Sequence, residues 1–131
     1  MNGPAGSIVM VEANHDLPLV QLAFILRAGA GEDPVDKDGL ANFAAELMAR
    51  GAAKKTRAQL DAAFDALGAT LHVLTDHDSV SFQLSVLRSN VEPALKLLSD
   101  ILLRPDFVPA DPWIRRWEGW VLGQTELPAI R

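Results

Sequence analysis

Cysteine and tyrosine are absent from this 131-residue chain, histidine occurs only three times, and aromatic residues make up 6% of it. Without cysteine there is no disulfide framework, no thiolate metal site and no thiol nucleophile. The imidazoles of His15, His72 and His77 are then the ligands left for a zinc-type site besides carboxylates. Basic residues are also scarce: 12 Lys and Arg face 17 Asp and Glu, for a net charge of −5. Their only adjacent pairs are Lys54-Lys55 and Arg115-Arg116, which is no basic stripe, so a nucleic-acid surface is disfavoured and no nucleic-acid partner is expected. Long apolar runs are missing too. The longest, Leu17 to Ala30, is broken by Gln21, Arg27 and Gly29 and falls short of the roughly 20 residues that span a bilayer. The opening Met-Asn-Gly-Pro-Ala-Gly has no basic stretch leading into an apolar core and does not read as a signal peptide. The compartment is not legible in the sequence, and the periplasm or cytoplasm of a bacterium is the expectation.

What is present is a globular composition, 49% hydrophobic and 22% charged. A chain of this length buries roughly two-thirds of its unfolded surface and needs neither disulfide nor metal to fold. Ser7 to Ala13 alternates apolar with other residues. After the His15-Asp16-Leu17-Pro18 connection a second run, Leu19 to Ala28, places Val20, Leu22, Phe24 and Leu26 on one face. An antiparallel strand pair is predicted there. Gly29 to Asp38 is an acidic loop interrupted by Pro34. It imitates the middle of a calcium loop at Asp36, Asp38 and Gly39, but Pro34 and Ala45 stand where the first and last ligands belong. A helix is predicted from Gly39 to Arg50, stopped at Gly51.

Thr56 with Gln59 has capping-box spacing and opens a helix ending at Gly68. Ala69–Thr75 and Val80–Leu87 read as strands joined through Asp76-His77-Asp78-Ser79. Ser89 with Glu92 repeats the capping box ahead of a helical stripe of Leu95, Leu98, Ile101 and Leu102, closed by Pro105. Asp111 and Pro112 open a last helix to about Leu127, with Trp113, Trp117, Trp120, Val121 and Gln124 on one stripe. Such a stripe is core or interface, and Gln124 is either a lost ligand position or the edge of that core. The order ββααββαα predicts an α+β fold, a mostly antiparallel sheet with helices packed on one face.

The helix from Gly39 carries the most information. At about 100° per residue Leu40, Phe43, Ala44 and Leu47 form one face, and Asn42, Ala45 and Glu46 another. It follows a strand pair and an acidic loop, as the H-x-x-E-H helix of inverzincins does. In that motif two His hold zinc and the intervening Glu activates water. Further matches are Ser7–Ala13 with Leu17-Pro18-Leu19-Val20, Arg27-Ala28-Gly29, Gly39-Leu40-Ala41, Leu67-Gly68-Ala69-Thr70-Leu71, Thr75 with Asp78, Leu97 to Leu102, and Pro105-Asp106-Phe107. In their order and spacing these residues make the chain, from about 7 to 127, resemble the first part of a pitrilysin/insulinase-family domain. That group includes mitochondrial processing peptidase and many bacterial zinc proteases, and its fold is LuxS/processing-peptidase-like.

The resemblance implies zinc in active relatives, yet Asn42, Ala45 and Glu46 stand where the family has His, Glu and His, and Gln124 where it has a third ligand, Glu. Neutral amides are weak zinc ligands, and Ala45 cannot take a proton from water. No metal site and no cofactor are therefore expected here. The helix is then either an ordinary amphipathic segment or a vestigial binding cleft. The family's substrates add as a strand to the strand after the Leu-Gly-Ala turn, here Leu71, His72, Val73, Leu74 and Thr75, and backbone pairing of that kind outlives a lost metal. His72 and His77 are also weighed as ligands of an ion and His15 as a turn residue, and the acidic setting of His77 reads as a solvated turn. The family further uses an Arg and a Tyr from a later homologous domain, which a tyrosine-free chain must leave to another segment. Residues 1–131 are accordingly expected to be one unit, the front part of a larger peptidase-like domain, in a homo- or hetero-oligomer. Three readings follow: a non-catalytic homologue that binds an extended peptide or pairs with a zinc-bearing peptidase subunit, an active zinc metalloendopeptidase with unconventional ligands, or a purely structural assembly domain.

Overall fold

A computed structural model of the chain describes residues 1–107. Its centre is strand β5, Val80–Leu87, in which Val80, Phe82, Leu84 and Val86 are buried while Ser81, Gln83, Ser85 and Leu87 face outward. This period-two pattern identifies a strand covered on one face. Strand β1, Leu19–Leu26, pairs antiparallel with one side of β5, and β4, Thr70–Thr75, pairs antiparallel with the other. The register lines up Leu22, Leu84 and Leu71 in one row and Phe24, Phe82 and Val73 in the next. Like rows meet because a slip of one residue would turn every apolar side chain to water. Helices α1 (Leu40–Met48), α2 (Arg57–Ala66) and α3 (Val91–Leu103) close the apolar face. The architecture is α+β with an antiparallel sheet, as the sequence pattern predicts.

Several element expectations are corrected. Ser7–Ala13 forms no strand. Residues 1–9 instead fold on themselves around a 3₁₀ turn at Pro4–Gly6, with an isolated Asn2–Ile8 bridge and the Val9 N–H donating to the Met1 carbonyl at 2.9 Å. That turn takes up the Ser7 and Val9 backbone groups locally, and Met10 is left 89% exposed. Strand β1 ends at Leu26, before Ala28, because the chain turns into the docked Gly29 segment described below. Gly51 does not merely stop α1. It opens β2 (Gly51–Ala52), which pairs with β3 (Lys55–Thr56) through a two-residue turn in which Ala53 and Lys54 have φ of 49° and 63°. The hairpin is held from outside: Ala53 N–H donates to Arg104 O, Lys54 N–H to the Asp106 carboxylate, and Asp106 N–H to Gly51 O, each at 2.9 Å.

Helix α2 follows its local signals. The Thr56 hydroxyl accepts from Gln59 N–H at 3.2 Å and the Gln59 side chain accepts from Thr56 N–H at 2.9 Å. At its other end Gly68 has φ of 62°, with Gly68 N–H donating to Asp65 O and Ala69 N–H to Phe64 O, the paired bonds of a Schellman cap. The second capping box does not form. Ser89 lies in a 3₁₀ turn, Asn90 is the N-cap without a side-chain cap bond, and its amide instead donates to Leu67 O at 2.9 Å, tying α3 to the end of α2. Within α3 the buried stripe is Ala94, Leu97, Leu98 and Ile101, while Leu95 is exposed. Asp100, also buried, is paired with Arg104 at 2.7 Å and approached by Lys55 at 3.9 Å, which compensates its burial. The predicted helix from Asp111, with its tryptophans and Gln124, lies outside the described residues. Among the described residues no helix is long and apolar enough to cross a membrane.

Candidate functional site

Strand β4 has a hydrogen-bonded neighbour, β5, on one side and none on the other among the described residues. Beside its free edge α1 and α2 leave a cleft of 540 Å³. Glu46 of α1 and Ala49, the residue that caps its C-terminus, line it, with Arg57, Asp61 and Phe64 of α2 and Leu71 of β4. A shallow 600 Å³ hollow at Pro18 and Leu87–Ser89 brings together no acid–base pair or ligand set among the described residues, so the cleft by β4 is the candidate site.

The wall formed by α1 is positioned from a distance. Gly39, the N-cap residue, has φ of 91° and no side chain to cap the helix. The Asp33 carboxylate does so, accepting from Gly39 N–H at 2.7 Å and from Ala41 N–H at 2.9 Å. Two of the helix's orphan donors are thereby satisfied, and a negative charge sits at the positive end of its dipole. Asp33 is in turn placed by the β4–β5 turn, since Ala30 N–H donates to Asp76 O at 2.9 Å and Gly31 N–H to His77 O at 2.8 Å. Gly29 is buried where a Cβ would stand 2.4 Å from His77 O and 2.5 Å from Asp76 O, so only glycine permits this approach. The acidic loop is thus a helix cap hung on a turn. Sequence reasoning missed Asp33 because capping rules look to the residue beside the helix, and this one reaches across a loop.

The side chains singled out in the sequence are dispersed. Asn42 is exposed, Glu46 is half-buried on the cleft, and Ala45 is 3% exposed inside the core with Met48 and Ala49 packed near it. The predicted faces of α1 are therefore corrected: Leu40 is 42% exposed and Ala45 is interior. The helix packs on β4, β5, β2 and the Ala30–Glu32 turn, and a small side chain is what fits between it and the sheet. His72 is exposed opposite Gln83, His77 lies in the turn 3.8 Å from the Asp78 carboxylate, and His15 is exposed in the connection before β1. Among the described residues no three His, Cys, Asp or Glu side chains gather as a metal site. Leu71, Val73 and Thr75 are half-buried while His72 and Leu74 are exposed, the alternation of a strand beside a helical layer.

These features define a class: an α+β domain whose cleft lies between helix α1 and a strand with no second neighbour among the described residues. The comparisons identify it further. The model of the family described as Insulinase (Peptidase family M16) matches residues 8–112, and the chain belongs to that family. It is similar to a probable mitochondrial-processing peptidase subunit beta of Arabidopsis thaliana, 27% identical over 104 residues, covering 79% of this chain and 20% of that protein. An uncharacterized zinc protease of Rickettsia felis is 25% identical over 83 residues, 63% of this chain and 20% of that one. Among solved structures, a peptidase M16 inactive domain from Pseudomonas fluorescens superposes with a TM-score of 0.74 at 29% identity, covering 86% of this chain and 27% of that one. Pitrilysin shares the fold, with a TM-score of 0.67 at 20% identity, covering 83% of this chain and 12% of its own. This chain spans about a fifth of the length of the curated relatives it matches.

Set against the zinc that the family uses, the residues on α1 do not fit. An exposed amide, a methyl group buried in the core and one carboxylate supply neither two imidazoles nor a base. Gln124, the fourth position of interest, lies outside the described residues.

Proposed function

We propose that this chain is a non-catalytic member of the M16 family that holds an extended peptide along β4 and works beside a homologous, zinc-bearing peptidase subunit. The burial of Ala45 carries this reading. The position that would have to present the water-activating carboxylate faces the core and has no proton acceptor, while a cleft lies beside β4, which has no second strand neighbour among the described residues. The 29% identity to a domain described as inactive supports the same reading.

Metal analysis and peptide digestion of the purified full chain test it. The expected outcome is substoichiometric zinc and unstructured peptides that bind without being cut. Stoichiometric zinc that is lost in Glu46→Gln or Gln124→Ala, together with chelator-sensitive cleavage, would overturn it.

A further inference from the structure

Strand β1 forms the margin of the sheet opposite β4. It pairs with β5 through all eight of its residues and has no second strand neighbour among the described residues. Its sequence, Leu-Val-Gln-Leu-Ala-Phe-Ile-Leu, holds no charge, proline or glycine, and its register with β5 runs without a bulge. Edge strands are ordinarily blunted by one of those devices or by being short, because a row of open N–H and C=O groups on a flat apolar strand invites another strand. Helices α1 and α3 pack on β5, and α1 and α2 on β4, whereas β1 rests mainly on β5. Leu19, Phe24, Ile25 and Leu26 are exposed, Ile25 by 63%. The hydrogen-bond phase of the sheet tells which groups are open. Arg88 N–H donates to Pro18 O at 2.8 Å, one step beyond the Leu19–Leu87 pair, so Pro18 and Arg88 are a bonded pair. Bonded and non-bonded pairs alternate, which makes Val20–Val86, Leu22–Leu84, Phe24–Phe82 and Leu26–Val80 bonded as well. The N–H and C=O groups of Leu19, Gln21, Ala23 and Ile25 therefore point away from β5. Their side chains lie on the face without helices, while Val20 and Leu22 pack on the core.

We propose that β1 pairs with β1 of a second copy of this chain, antiparallel about a two-fold axis normal to the sheet, so that the two sheets join into one with the helices of both copies on the same side. The open rows bond only if odd residues face odd ones, and that parity keeps the apolar faces together. The register centred on Leu22 satisfies the side chains best: Leu22 faces the partner's Leu22 in a non-bonded pair, Phe24 faces the partner's Val20, and Ile25 faces the partner's Leu19. Centring on Ala23 instead would set Ile25 against the partner's Gln21. The charges point to a second copy as the occupant. Arg27, just past β1, and Asp16, just before it, have no ion-pair partner among the described residues. The two-fold brings Arg27 of each copy opposite the partner's Leu17, beside the partner's Asp16, and does so twice. Between these ends the strand is uncharged, so the −5 net charge of the chain does not oppose the contact locally. A strand pair alone buries less than the roughly 1,600 Å² of a stable complex, and the association is accordingly weak and concentration-dependent.

Sedimentation and amide exchange of the full chain across a concentration series test the proposal. Monomer should pass to dimer as concentration rises, and the amides of Gln21, Ala23 and Ile25 should gain protection in step, while those of Val20, Leu22 and Phe24 are protected throughout. Ile25→Lys, at a side chain already exposed, should weaken association about tenfold, since the two-fold counts each lost cross-strand pair twice, and should leave the protection of β5 unchanged. Arg27→Ala should weaken it about two- to threefold, as suits a solvent-accessible ion pair. Because the chain has no cysteine, Leu22→Cys should yield a disulfide-linked dimer on mild oxidation and Phe24→Cys should not. A chain that stays monomeric, or a dimer that leaves the three odd amides open, would overturn the proposal. So would protection of those amides that is independent of concentration, because a segment of the same chain would then cover the edge, and so would a disulfide through Phe24→Cys with none through Leu22→Cys. None of these results bears on the peptide-binding reading, which concerns β4 at the opposite margin.

Discussion

Helices α1 and α2 both pack against β4 and line the same cleft, but their ends are determined differently. The signals that start and stop α2 lie within a residue or two of it, the Thr56–Gln59 box at one end and the left-handed Gly68 at the other, with one remote bond, from the Asn90 amide to Leu67 O, added at its end. Helix α1 begins on a glycine that caps nothing. It borrows the Asp33 carboxylate, which is itself held by main-chain bonds from the Gly29 segment to the Asp76-His77 carbonyls. The wall that carries Asn42, Ala45 and Glu46 thus starts on a cap supplied by tertiary contacts, while the opposing wall starts on a cap from its own sequence. A change remote from the cleft can move one wall and leave the other where it is.

Gly29→Ala should have the largest effect. Its Cβ would meet backbone oxygens that cannot swing away, so a loss of roughly 2–3 kcal/mol is expected in urea unfolding, with faster amide exchange along α1 but not along α2. Unchanged stability would mean that the loop is not what holds α1. Asp33→Ala removes the borrowed cap without disturbing that docking. The expected loss is about 1–2 kcal/mol, with fraying at Gly39–Ala41 and weaker peptide binding. Thr56→Ala should cost about 1 kcal/mol, with exchange rising only in the first turn of α2 and peptide affinity preserved. If the Thr56 variant weakened peptide binding as much as the Asp33 variant did, the distinction between the two walls would fail.

Local chemistry was the legible part. The Thr56 box, the Gly68 cap, the alternation along Val80–Leu87 and the end of α3 before Pro105 were all readable, because each depends on neighbours in the chain. The misreadings share a cause. Ser7–Ala13 alternates like a strand, but the Pro4–Gly6 turn competes for its backbone groups. Ser89 and Glu92 have capping-box spacing, but Asn90 is drawn to Leu67 O. The Ala53-Lys54 turn has no glycine or asparagine to announce it and is held by Arg104 and Asp106. In each case a partner remote in sequence, or a turn just outside the window, outweighed the local preference.

For the site, the sequence alone determined the chemistry that is missing: Asn42, Ala45 and Glu46 cannot provide the donors zinc requires, whatever their arrangement, because donor type belongs to the residue. It also determined that Leu71 to Thr75 forms a strand. Only the tertiary structure decided that this strand has no second paired neighbour among the described residues and that Ala45 turns into the core. Burial, edges and hydrogen-bond phase depend on which elements meet, and that is settled by packing between residues far apart in the chain.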